Sequence, residues 1–196
     1  VIHGDETTAR QVLERFMDTH EGIAFLIEGK TRNVPIQMGE IDPNRMFSRV
    51  GAEASLKTLN PGWSPQQVEA ALTVLDRGRE RLLKSILPPE GGLLVALHNN
   101  SEQYSVDDEV PISDTVSLRE PDNRHAFFLC TDPADFMKLA KSPYNVVLQQ
   151  KKPEKDDGSL SRLCAGREVR YVNLEVRQGN SDRQLEMLRW LDWNVT

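Results

Sequence analysis

The chain has 196 residues, 38% of them hydrophobic and 28% charged, with a formal net charge of -6 at pH 7. That length suits one domain, whose core can bury roughly 70% of the unfolded chain's surface without a disulfide framework. The acidic balance with scattered Lys and Arg argues against a nucleic-acid partner, and no run approaches the ~20 apolar residues of a membrane span.

The chain opens on Val1 rather than Met, which reads as a processed or trimmed product and leaves the compartment open. Over residues 6–20, Ala9, Val12, Leu13, Phe16 and Met17 recur at helical spacing and predict an amphipathic helix. The apolar run 23–28 after Gly22 predicts a buried strand, and the alternation of Val34, Ile36 and Met38 a second, more exposed one. Asp42-Pro43-Asn44-Arg45 reads as a loop. Ser64-Pro65 opens a helix to about Ile86, which Pro88-Pro89 and Gly91-Gly92 end.

Residues 93–97 form a fully apolar strand that delivers His98 at its carboxyl end. Strand 126–130, a helix from Asp132-Pro133 to about Lys141, and strand 145–149 follow. The polar, Gly-containing stretch 151–167 predicts a loop; strand 171–176 and helix 182–192 close the chain. Alternating strands and helices predict a three-layer α/β/α domain around a mixed, largely parallel sheet, with ligands at the carboxyl ends of the strands. Cys130 and Cys164 read either as a bridge or as two buried thiols.

Four pieces carry chemistry. His3-Gly4-Asp5-Glu6 is an H-x-x-E tetrapeptide whose two ligands lie within one turn of backbone, and His98 would close a three-ligand metal site on folding. Asn44-Arg45 can grip a carboxylate, because a guanidinium donates two parallel hydrogen bonds. Glu175 stands in an otherwise apolar strand, where a carboxylate must be paired or functional. Arg177, two residues on, shares its face, where it reads a substrate anion or pairs with Glu175.

In this order, His-Gly-Asp-Glu, Asp-Pro-Asn-Arg-Met-Phe, Leu-His-Asn and Leu-Glu-Val resemble the M14-type zinc carboxypeptidase superfamily, nearest its aspartoacylase and succinylglutamate desuccinylase branch. The resemblance spans residues 1 to about 176. It implies zinc on His3, Glu6 and His98, a substrate carboxylate on Asn44 and Arg45, and Glu175 as the general base. The activity implied is hydrolysis of an amide bond next to a carboxylate, in an N-acyl amino acid or a peptide. The alternative is a binding or regulatory module that keeps the fold without turnover.

Departures from the family pattern are specific. The position of its oxyanion-stabilising arginine falls on Gln37, seven residues before Asn44, so Arg32 is assigned that role as the nearest arginine. Tyr144 and Tyr171 are the candidates for a late tyrosine. The strand expected before His3 is reduced to Val1-Ile2.

Overall fold

The computed structural model describes residues 3–150 and 156–196, so Val1-Ile2 and residues 151–155 of the expected polar loop lie outside the described residues. Helix α1 (Thr7–Met17) forms where the apolar stripe predicts it, with Ala9 and Val12 buried. The run 23–28 forms no buried strand: Ile23 is 83% exposed and only Leu26 makes an isolated bridge. The Ile27 carbonyl, which a ladder would use, instead accepts from Arg10 Nη2 at 2.5 Å.

The second expected strand is a hairpin. β1 (Val34–Ile36) and β2 (Gly39–Ile41) pair antiparallel around a two-residue turn that exposes Met38. Gln37 takes φ 51° there, the left-handed geometry that tight hairpin turns require. Helix α2 (Arg49–Leu59), which the sequence reading passes over, starts at Ser48, whose hydroxyl accepts from Gly51 N at 3.0 Å. Helix α3 (Pro65–Ile86) begins with a reciprocal Ser64/Gln67 capping box. Ile36, Ile41, Leu56 and Leu72 bind hairpin, α2 and α3 into one apolar cluster.

The main sheet contains β3 (Leu93–Asn100), β4 (Thr115–Ser117), β5 (Phe127–Cys130), β6 (Asn145–Leu148) and β7 (Arg170–Arg177). Their order is β3-β7-β5-β6-β4. β3 runs parallel to β7 and β5 to β6, whereas β7/β5 and β6/β4 are antiparallel. The sheet is therefore mixed and only partly parallel, because β5 and β6 run against the β3/β7 pair. The short helix α4 (Val106–Glu109) lies before β4, α5 (Pro133–Leu139) joins β5 to β6, α6 (Leu160–Gly166) precedes β7, and α7 (Ser181–Val195) follows it.

Helices cover both faces. Phe128, Val172 and Leu174 pack under Val12 of α1, Phe136 of α5 and Leu188 of α7. Phe127, Leu129 and Val147 pack under Leu83 of α3 and Leu160 of α6. Helix α6 forms inside the stretch expected to be loop, since Ser159 caps it and Leu160 and Cys164, one turn apart, turn inward. Cys130 and Cys164 are free thiols in clusters on opposite faces of the sheet, and burial pushes Cys164 up to about 12.

Candidate metal site and its cleft

Strand pairing builds the site. β3 and β7 run parallel with His98 opposite Glu175. Side chains alternate across a sheet, so His98 and Asn100 of β3 share the α3/α6 face with Asn173, Glu175 and Arg177 of β7. All five line one cleft of about 850 Å³.

The 3–6 loop docks on the end of β3. Asn99 Oδ1 accepts from Ala9 N at 2.8 Å, satisfying a backbone donor in the first turn of α1. Glu6, which precedes that helix, makes no cap with its side chain. Its carboxylate instead accepts from the backbone N–H of His3 at 2.7 Å and of Asn99 at 3.2 Å. Gly4 is required at this point, since a Cβ would lie 2.6 Å from Thr31 O.

His3, Glu6 and His98 are all buried, and one donor atom from each lies within 4.8 Å of the others, so the group could hold a metal ion. Nδ1 of His3 and Nδ1 of His98 both stand 3.1 Å from Glu6 Oε1. His3 Nδ1 is buried with no hydrogen-bond partner among the described residues. Leaving such an atom unsatisfied is unfavourable, and a cation would satisfy it. The other ring nitrogen of His3, Nε2, lies 3.1 Å from Asp42 Oδ1. A carboxylate on the far nitrogen of a liganding histidine fixes the ring and strengthens it as a donor. The residues present fit a small divalent ion.

Electrostatics agree. Burial works against charge on His3, but the Asp42 carboxylate on Nε2 and the Glu6 carboxylate beside Nδ1 outweigh it and raise the imidazole to about 9. Burial would raise Glu6, yet His98 and His3 hold it well below the usual carboxylate range. Asp42 is depressed likewise, burial being overcome by His3, Arg32 and the Asn44 backbone. Glu175 goes the other way: full burial raises it, against the pull of His98 and its amide neighbours. Those neighbours are Asn173 Nδ2 at 3.1 Å and Asn100 Nδ2 at 3.3 Å.

Asn44 and Arg45 sit in a 3-10 turn (Pro43–Arg45) whose capping residue, Asp42, accepts from Asn44 N at 2.8 Å. Both line the cleft. Arg45 Nη1 holds Asp157 Oδ2 at 2.7 Å, and Asn44 Oδ1 accepts weakly from Leu160 N at 3.4 Å. The segment carrying Asp157 docks closely here: Gly158 O accepts from Phe47 N, and a Cβ on Gly158 would lie 2.3 Å from Arg45 O. Arg32 reaches the cleft with Nη2 3.2 Å from Asp42 Oδ2. Arg177 pairs loosely with Glu102 at 3.8 Å rather than with Glu175.

Gln37 lies in the hairpin turn, outside the residues that line the cleft. Tyr144 packs against Phe128 and Trp190 on the opposite face of the sheet, whereas Tyr171 is buried in the cleft's inner wall. Sequence reasoning missed Asp42 as the partner of His3, although it quoted the residue. It also missed Asn100 and Asn173, which the alternation that groups Arg177 with Glu175 could have found. Comparison with protein-family models, curated proteins and solved structures finds no match.

Proposed function

We propose that the protein is a zinc-dependent hydrolase of an amide bond adjacent to a carboxylate, acting on an N-acyl amino acid or a peptide carboxyl terminus in the manner of the zinc carboxypeptidases. The observation that carries this reading is a buried three-donor group, its donor atoms within 4.8 Å of one another, set in register beside a buried carboxylate. Zinc held by His3, Glu6 and His98 supplies Lewis acidity, which polarises a scissile carbonyl and acidifies water.

Glu175 then takes a proton from the attacking water and returns it to the leaving amine. Burial raises its affinity for protons, which suits it to both tasks. Asn100 and Asn173 fix its carboxylate, so it does not have to reorganise during the reaction. Arg45, with Asn44 beside it, receives the substrate carboxylate in exchange for Asp157. Arg32, anchored by Asp42, is the donor assigned to the developing oxyanion. Arg177, only loosely held by Glu102, meets a further anionic group of the substrate.

The test is a panel of N-acyl amino acids and dipeptides, each compared with its carboxamide, on the zinc-loaded protein and on Arg45→Ala. Losing the guanidinium that pairs with the substrate carboxylate lowers kcat/KM for the free acids by about tenfold or more. The carboxamides lose far less. Equal losses for acid and amide would remove Arg45 from carboxylate recognition, and no turnover of any compound would leave a binding module.

A further inference from the structure

Beyond Glu175 the cleft continues along the same face of the sheet, over Leu129 of β5 to Gln149, just past the end of β6. From β7 to β6 is two strand spacings, ~10 Å sideways. On this inner wall stands Glu109, the last residue of α4. Tyr104 Oη donates to Glu109 Oε1 at 2.6 Å, and Gln149 Nε2 donates to Oε2. Ile112, Leu129 and Tyr171 supply an apolar and aromatic surround.

Glu109 differs from the other carboxylates here. Asp5 is exposed, Glu6 faces two histidines, Asp157 faces Arg45, Glu102 faces Arg177, and Glu175 is the assigned base. Glu109 is held by two uncharged donors, and no cation pairs with it among the described residues. Tyr104 remains a proton donor, since burial together with Glu175 and Glu109 drives its phenol far above its ordinary range. A half-buried carboxylate supported only by neutral hydrogen bonds attracts a cation, since no countercharge already offsets it.

Resting on the hydrolase reading, we infer that Glu109 sets side-chain specificity: it receives the ammonium or guanidinium of a substrate whose carboxyl-terminal residue carries a long cationic side chain. The hydrocarbon stem lies along Leu129 and Tyr171, and the charged tip meets Glu109. Either an N-acyl amino acid or a peptide carboxyl terminus satisfies this requirement.

The deciding experiment compares kcat/KM of the zinc-loaded protein for N-acyl-lysine and N-acyl-norleucine, which differ only in the terminal ammonium. A ratio of about tenfold or more in favour of lysine is expected, as for a close charge pair. Glu109→Gln should bring that ratio to about one. The amide is accommodated because Gln149 can rotate to offer its oxygen. A wild-type ratio near one, or a ratio that survives Glu109→Gln, overturns the assignment. If nothing is turned over, the hydrolase reading fails, and calorimetry with free lysine and norleucine decides Glu109 separately. Tighter lysine binding that Glu109→Gln abolishes upholds it; equal binding of the two overturns it.

Discussion

Glu175→Gln is expected to lower kcat by about 10²–10⁴-fold, the usual range for loss of a general base, while the protein keeps its zinc. The substitution preserves shape but removes the charge and the ability to carry a proton. Glu175 is not one of the three candidate metal donors, so zinc content should match the wild type. The amide also fits its surroundings. Among the described residues Oδ1 of Asn100 and Oδ1 of Asn173 have no hydrogen-bond partner, so an amide at position 175 finds an acceptor once Asn173 turns over. Asn100 is the fixed member, because its Nδ2 also donates to His125 O at 2.8 Å. Single-turnover assays with metal analysis on the same samples check this. Wild-type turnover in a zinc-loaded variant would take the base role away from Glu175.

The second large effect is expected at Asp42. Its carboxylate binds His3 Nε2, Arg32 and the Asn44 backbone, tying the His3–Glu6 loop to the Asn44–Arg45 turn. Asp42→Asn removes the charge that fixes the His3 ring and leaves Arg32 without its anion. Loss of such a supporting carboxylate lowers metal affinity by about 10–100-fold. Competition titration against a chelator measures this directly. Affinity within twofold of the wild type would mean that Asp42 serves folding alone.

Much of the architecture is legible in the sequence wherever burial and periodicity agree. The apolar runs of β5, β6 and β7 are buried on both faces and that of β3 partly so, and they read as strands without tertiary information. Helix α3 announces itself by Ser64-Pro65, and the structure adds the Ser64/Gln67 capping box. The run 23–28 misleads because apolar composition alone does not supply a neighbouring strand, and Arg10 takes the backbone acceptor that pairing needs. Helix α2 escapes notice because much of its buried surface comes from Gly51, Ala52 and Ser55, small residues that give no strong apolar stripe. Strand direction is equally hidden, since local patterns do not report that β5 runs against β7.

The site shows the same division. Each of His3, Glu6, His98 and Glu175 belongs to a short motif, and the structure brings all four into one cleft. Their supports, Asp42, Asn100 and Asn173, are common polar residues whose roles exist only once the chain has folded. Glu109 and Tyr104 carry no sequence signal at all. They reach the cleft through the short α4 segment between β3 and β4, for which no local pattern predicts a position.

The most direct test is a zinc titration of metal-free protein across pH, followed by calorimetry. One zinc per chain is expected. Because His3 is protonated up to about 9 in the metal-free protein, binding must displace that proton. Affinity should therefore rise with pH from the mildly acidic range to about 9, with proton release that differs between buffers of different ionisation enthalpy. His98→Ala should abolish the high-affinity step. Metal-free protein that takes up no zinc, or uptake that His98→Ala leaves unchanged, would contradict the assignment of His3, Glu6 and His98 as the metal centre.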